Sequence, residues 1–165
     1  MRWRWLIVLA SLLGCMACGS VISPQVQSLV DPELSYAQIA ANPEAYVGKV
    51  VIVAGTIIEA VNTPEGTRLV LLQYPTNSQG RPRTDAPSSG RFLVLAPEYL
   101  ETAIYRPGRA LTVAGEVRGQ RELPVGEAVY RYPLLAPREM YLWPEGGGSS
   151  PLFRFGFGFG FSKSL

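Results

Sequence analysis

Alternating apolar and polar positions, rich in β-branched residues, predict that this chain folds mainly into short β-strands. The strongest run covers residues 49–59, where valine and isoleucine predominate. Further runs of this kind cover residues 67–74, 91–95, 109–118, 127–135 and 138–143. The last two are expected to belong to one strand that is broken near Pro133 or Pro137, because proline interrupts a β-ladder.

The first strand has an echo later in the chain, since residues 48–57 align without gaps on residues 108–117. In the second copy Leu111 and Val113 alternate with Thr112, so the period of two assigns the apolar positions to the core. The positions predicted to face the core are Leu111, Val113, Gly115 and Val117, and in the same register Val51, Val53, Gly55 and Ile57. The two mid-strand glycines indicate a bulge or the sharp coil of a small barrel; a ligand approaching the backbone is the alternative.

Two short helices are predicted between these strands. Residues 35–41 are good helix material, and the helix should end at Asn42 because the residue before a proline is pushed out of the α region. Residues 97–105 predict a second helix, with Leu100 and Ile104 facing inward at a spacing of one helical turn.

These elements predict a mainly β fold: a small, five- to six-stranded antiparallel OB-like Greek-key barrel with one or two short helices. A helix between the third and fourth strands matches that architecture, and the mid-strand glycines favour strong coiling. A generic β-sandwich is the competing architecture. The predicted strands at 49–59 and 109–118 are long for a sandwich, and the chain has few strands for that architecture.

The N-terminus has the three parts of a secretory signal in order. Arg2 and Arg4 precede nine apolar residues at 5–13, a length typical of a signal peptide and too short to span a membrane. Gly14 then precedes Cys15, in a pattern that resembles the bacterial lipobox. Cys18 is the alternative lipidation site, and an ordinary secreted protein or a Cys-x-x-Cys redox pair are the other interpretations.

The sequence therefore predicts four segments. They are a lipoprotein signal peptide at 1–14, an acylated N-terminus and flexible tether at 15–31, the barrel at 32–143, and a Gly/Ser linker with a disordered Phe-Gly-rich tail at 144–165. Neither Met16 nor Gly19, the residue directly after each candidate cysteine (position +2), is the aspartate that retains lipoproteins at the inner membrane. We therefore expect a lipid anchor in the outer membrane, on its periplasmic face.

Composition narrows the possible chemistry. Loss of Arg2 and Arg4 reduces 15 basic residues to 13, which equals the 13 acidic residues, so the mature chain is neutral. A neutral chain lacks the basic footprint that nucleic acid requires, and we expect no nucleic-acid partner. There is no histidine, and no cysteine follows Cys18. These absences remove the usual bases, nucleophile pairs and ligands, so we expect no enzyme activity, no metal and no cofactor.

Two candidate surfaces remain. Tyr130 and Tyr132 could be a stacking platform for a ligand, or they could simply close the barrel by packing. Residues 75–90 contain almost no apolar side chain and predict a long exposed loop, which is either solvated or binds a partner. Arg81 and Arg83 are the basic residues of that loop.

Several motifs resemble the Slp family of outer-membrane lipoproteins, which is named for induction by carbon starvation. They are QIAANPEAYVGK at 38–49, SGRF at 89–92, YRPGRALTVAG at 105–115, YP at 132–133 and YLW at 141–143. The resemblance covers residues 35–143 and does not include the Phe-Gly tail. It implies an outer-membrane lipoprotein without assigned catalysis, and it carries over no catalytic residues.

Two functions follow as hypotheses. The first is a structural or protein-interaction role in the envelope, linked to stress or starvation, with the outer membrane and an envelope protein as partners. The alternative is a periplasmic module that binds a small molecule or an oligosaccharide on one face of the barrel.

Overall fold

Six strands joined in one sheet dominate the structure, a computed structural model that describes residues 20–145 and 154–156. The strands are β1 (Val50–Thr63), β2 (Gly66–Tyr74), β3 (Gly90–Ala96), β4 (Ala110–Val125), β5 (Ala128–Leu142) and β6 (Arg154–Gly156). The helices are α1 (Pro24–Gln27), α2 (Tyr36–Ala41) and a 3₁₀ helix (Pro43–Tyr46).

Five of the strands form a closed ring, which confirms the predicted OB-like barrel. Strand β1 pairs antiparallel with β2 and β4, β2 with β3, and β4 with β5. The ring closes where β3 pairs with β5, through Leu93 with Leu134 and Val94 with Leu135. This last pair is parallel, so the expectation of antiparallel pairing fails there. A ring of five strands cannot alternate direction all the way round, and one neighbouring pair must be parallel.

The predicted inward positions do form the core. Val51, Val53 and Ile57 on β1 and Leu111, Val113 and Val117 on β4 all belong to one buried cluster. The two echoing strands are neighbours in the sheet, where Val53 pairs with Val113. Alternation along each strand thus places one apolar row inside the barrel, as period-two patterning requires.

The mid-strand glycines allow close approach of neighbouring backbone. A β-carbon on Gly55 would lie 2.4 Å from the carbonyl oxygen of Leu72. A β-carbon on Gly115 would lie 3.2 Å from the carbonyl oxygen of Ala136, and the register of β4 against β5 shifts at Gly115. Packing within the barrel therefore accounts for both glycines.

Strand β5 is continuous, so the predicted break at a proline is wrong. Its pairing with β4 instead becomes irregular near the two prolines, with shifts between Ala114 and Gly115 and between Val117 and Gln120. Pro137 lies opposite Gly115, and Pro133 lies opposite Gln120. Because proline has no N–H to donate, a strand can hold it at such irregularities without losing a regular ladder bond.

Of the two predicted helices, the first is present and the second is wrong. Helix α2 begins with a capping box in which Ser35 and Gln38 satisfy each other's backbone N–H groups. Residues 97–105 form a turn, in which the backbone N–H of Leu100 donates to Oγ1 of Thr67 at 2.7 Å. That contact fixes the segment to β2, and only one turn closes before the buried Tyr105.

The segment predicted to be a flexible tether packs on the barrel from Ile22 onward. Ile22 is buried, and the backbone N–H and the hydroxyl of Ser23 both donate to the carboxylate of Glu139 on β5. The N–H of Asp31 then donates to the carbonyl of Val50 at 2.9 Å. The sequence of this segment is polar to mixed, and no periodicity reveals its single buried isoleucine.

The termini are described only in part. Residues 154–156, which lie in the segment predicted to be a disordered tail, pair with β5 as strand β6. The signal segment, both candidate cysteines, and tail residues 146–153 and 157–165 lie outside the described residues. No helix within the described ranges is long and apolar enough to cross a membrane.

We predict that Gly55→Ala destabilises the domain by about 1–3 kcal/mol, because the new methyl group would overlap the Leu72 carbonyl. Urea unfolding followed by circular dichroism measures the loss. Gly115→Ala is the matched control at the echoing position, where the nearest atoms lie 3.2 Å away and the loss should be smaller. Equal losses would show that strand conformation, rather than close approach, explains Gly55.

Candidate functional site

The outer face of β2 and β3, which binds ligands in many OB-type barrels, is covered here by the chain itself. Leu93 lies between the core residues Phe92 and Val94 and therefore points to the outer face. Tyr132 from β5 packs there with Val70 and Leu93 in a second buried cluster. Partly buried leucines at 95, 123 and 134 extend this cluster. The β4–β5 hairpin thus occupies the face that a ligand would use.

The two candidate tyrosines touch each other but have different surroundings. Their ring centroids are 4.6 Å apart, yet Tyr132 is 3% exposed and Tyr130 is 38% exposed. The guanidinium of Arg91 lies 5.9 Å from the centre of the Tyr130 ring, within cation–π range. Tyr132 is therefore packed in the interior, whereas Tyr130 is partly exposed to solvent.

The buried side chain of Tyr36 lies next to this aromatic pair, since its hydroxyl and that of Tyr130 both lie beside Gly90. Tyr36 donates a hydrogen bond from its hydroxyl to the carbonyl oxygen of Arg91 at 2.9 Å. Burial raises the pKa of the Tyr36 hydroxyl, because the phenolate would lose its hydration, and the nearby Tyr130 contributes in the same direction. The hydroxyl therefore remains a neutral donor and holds α2 against β3.

Exposed apolar side chains lie on both faces of the end of the β4–β5 hairpin. Val125, Val129 and Tyr130 are 37%, 67% and 38% exposed, and the register places Val125 and Tyr130 on one face and Val129 on the other. We call these three residues the hairpin surface. An ion pair at 2.9 Å between Arg121 and Glu65 links the hairpin to the β1–β2 turn. Exposed apolar groups on both faces of a braced hairpin give a protein partner apolar area to cover.

The two loop arginines do not share a site. Arg83 and Asp85 lie 3.5 Å apart, and both are exposed, as expected of a solvated loop. Arg81 instead covers Trp143, with its guanidinium 5.4 Å from the centre of the indole. Contrary to the expectation of a fully exposed loop, Pro82 is buried and the carbonyl of Gly80 accepts a hydrogen bond from Thr112.

Arg81 belongs to a groove that sequence reasoning did not predict. The groove has a volume of about 290 Å³. Its polar wall consists of Arg81, Arg106, Arg109 and Glu145, and Trp143 forms its apolar side. We call these five residues the arginine groove. Arg106 and Arg109 flank a turn that the sequence marks clearly, but no local signal brings them to the loop that carries Arg81.

Backbone and side-chain contacts hold the groove in place. Arg109 donates from Nη2 to the carbonyl of Trp143 at 2.9 Å and from Nη1 to the carbonyl of Ile104 at 3.2 Å. The indole N–H of Trp143 donates to Oγ1 of Thr112 at 2.9 Å. Arg106 pairs with Glu145. The arginines are therefore positioned by the end of β5 and the start of β4.

The described residues contain no group of three or more histidine, cysteine, aspartate or glutamate side chains that could hold a metal. The groove can form ion pairs and hydrogen bonds with an anion, while the hairpin surface can bury apolar area.

Comparison with known proteins identifies the family. The profile of the outer membrane lipoprotein Slp family matches residues 13–153, which is most of the chain. The chain belongs to this family. The match includes Cys15, Cys18, the whole barrel and both surfaces described above.

Two relatives agree with this membership. The chain is 22% identical to outer membrane protein Slp of Escherichia coli K12 over 82% of its length and 73% of that protein. It is 26% identical to an uncharacterized protein of Haemophilus influenzae Rd over 80% of its length and 70% of that protein. This Slp-family homology supports association with the outer membrane.

A solved structure of the mitochondrial single-stranded DNA-binding protein Rim1 from S. cerevisiae is also similar. It is 14% identical, with a TM-score of 0.36, and the match covers 56% of this chain and 92% of that one.

Truncation of the two tyrosines should separate packing from surface contact in this Slp-family domain. We predict that Tyr132→Ala costs about 3–5 kcal/mol of unfolding free energy, because a buried aromatic ring is removed. Tyr130→Ala should cost about 1 kcal/mol, mainly through the lost ring contact. Urea denaturation of both variants gives the comparison. A Tyr132→Ala domain as stable as wild type would contradict the packing role.

Proposed function

We propose that this protein is a lipoprotein anchored in the outer membrane through a lipid on Cys15, with its domain on the periplasmic face. The observation that carries this proposal is the family match, which begins at residue 13 and thus includes Leu13, Gly14 and Cys15 of the lipobox-like sequence. The charged start and the apolar run before Cys15 support cleavage at that position.

Cys15 is the better candidate of the two cysteines. Leu12 lies three positions before Cys15, where the lipobox pattern has leucine, and Gly14 precedes it directly. Cys15 itself would take that leucine position if Cys18 were modified. A cysteine that carries several acyl chains would stay in the membrane, since each buried methylene contributes about 0.8 kcal/mol.

The packing of residues 20–31 supports a domain held close to the membrane. Cys15 lies eight positions before Ser23, which is hydrogen-bonded to Glu139 of the barrel. Eight residues span at most about 29 Å when fully extended. The barrel therefore has little freedom to move away from the lipid surface.

We further propose that the domain serves a structural or protein-interaction role in the envelope. The hairpin surface supports this role, because Val125, Val129 and Tyr130 expose apolar area on an element braced by ion pairs. The covered β2–β3 face argues against oligosaccharide binding in the usual OB position.

A link to stress or starvation accompanies the family resemblance. Comparison of the level of this protein in carbon-starved and fed cells would test that link.

We predict that Cys15→Ser abolishes lipidation and leaves an uncleaved precursor, whereas Cys18→Ser leaves a normally processed lipoprotein. Mass spectrometry of the mature N-terminus, combined with membrane fractionation, measures both outcomes. Acylation of the Cys15→Ser variant, or cleavage at a position without lipid, would contradict the anchor.

We also predict that a photo-crosslinking residue in place of Val129 captures one discrete envelope protein in living cells. The same residue in place of Leu29, which is 56% exposed on the N-terminal segment, is the matched control and should capture none. The adduct should disappear when Cys15→Ser removes the anchor. Identical patterns at the two positions, or none at Val129, would contradict an interaction role for the hairpin surface.

A further inference from the structure

We propose that the arginine groove binds the phosphate groups of phospholipid headgroups in the membrane that carries the anchor. The inference rests on the lipid anchor proposed above and adds a second, electrostatic contact to it. Such a contact would fix which side of the barrel faces the lipid and which side faces the periplasm.

The charge of the groove favours an anion. Its wall contains three arginines, Arg81, Arg106 and Arg109, and one acidic residue, Glu145, an excess of two positive charges. The mature chain as a whole is neutral, so this excess is local. Arginine matches phosphate especially well, because its planar guanidinium can donate two parallel hydrogen bonds to two oxygens.

The groove also has unused donor capacity. The Nε of Arg109 is buried and makes no hydrogen bond, since Oε1 of Glu145 lies 3.5 Å away, too far for a good one. The guanidinium of Arg81 lies 5.4 Å from the centre of the Trp143 ring, and its N–H donors have no hydrogen-bond acceptor among the described residues. An unpaired buried donor is costly, so a phosphate oxygen that displaced Glu145 beside the Nε of Arg109 would be favoured there.

The position of the groove favours lipid as the source of the phosphate. Val21 lies beside the loop that carries Arg81, because a β-carbon on Gly80 would be 3.6 Å from Cγ2 of Val21. Val21 is six positions after Cys15, a distance of at most about 21 Å along an extended chain. The loop that carries Arg81 therefore lies within a short reach of the acylated residue.

Trp143 provides a natural reporter of this contact. Of the three tryptophans, Trp3 and Trp5 lie in the signal peptide, so Trp143 is alone in the mature protein. The experiment uses the full mature lipoprotein in phosphatidylglycerol vesicles that contain a phospholipid with a nitroxide quencher on its headgroup. We expect strong quenching of Trp143 that falls as salt is added, because salt screens ion pairs.

The variants Arg81→Gln and Arg106→Gln test the groove. Each should reduce the population of the docked orientation about fivefold, because one basic side chain near an anionic surface strengthens binding by about that factor. The quenching of Trp143 should fall accordingly. Arg83→Gln is the matched control, since Arg83 lies in the same loop and pairs with Asp85 outside the groove. Circular dichroism checks that each variant is folded, and the salt dependence of the wild type gives a measurement that needs no variant.

The outcomes distinguish the proposal from its alternatives. Equal quenching in wild type and both groove variants, or quenching that salt leaves unchanged, would overturn it. A third result would also overturn it: inorganic phosphate changes the Trp143 emission of the protein in detergent micelles, while the labelled headgroups in vesicles cause no quenching. The ligand would then be free phosphate. Failure of the anchor itself would appear separately, as protein that does not float with the vesicles and lacks acyl mass.

Discussion

The parallel contact between β3 and β5 closes the barrel, and the surfaces of the domain depend on it. Leu93 pairs with Leu134 and Val94 with Leu135, and these positions join the two ends of an otherwise antiparallel sheet. Closure holds the β4–β5 hairpin across the outer face of β2 and β3, where Tyr132 becomes buried. A face that could have bound a ligand is thereby used for folding.

A second layer, made of the N-terminal segment and the long loop, covers the outer face of β4 and β5. Thr112 and Glu139 point away from the core, yet both are buried under the N-terminal segment and the long loop. Polar groups buried in this way need partners, and Ser23 and Gly80 supply them. The segment that follows the candidate lipidation site is consequently part of the domain from Ile22 onward.

The two surfaces left for function differ in chemistry and in place. The hairpin surface is apolar and lies near the β4–β5 turn, whereas the arginine groove is cationic and lies where β4 begins and β5 ends. Tyr130 on β5 and Trp143, which directly follows that strand, belong to these two regions and are 13 positions apart, roughly 43 Å of extended chain. One molecule could therefore contact lipid phosphates at one end and a protein at the other.

The sequence by itself determined the strands, the inward rows of the two echoing strands and the compact α2 helix, because alternation, capping and proline positions are local signals. It also indicated the family and the signal segment. Only the tertiary structure decided the roles of Tyr132, Arg81 and Trp143, since their partners come from distant strands and loops. The turn at 97–105 shows the same limit, because Thr67 captures the Leu100 N–H that a helix would have used. The lipobox-like stretch predicts a lipidation site from local sequence alone, whereas only the structure shows that Val21, close to it in the chain, packs beside Gly80.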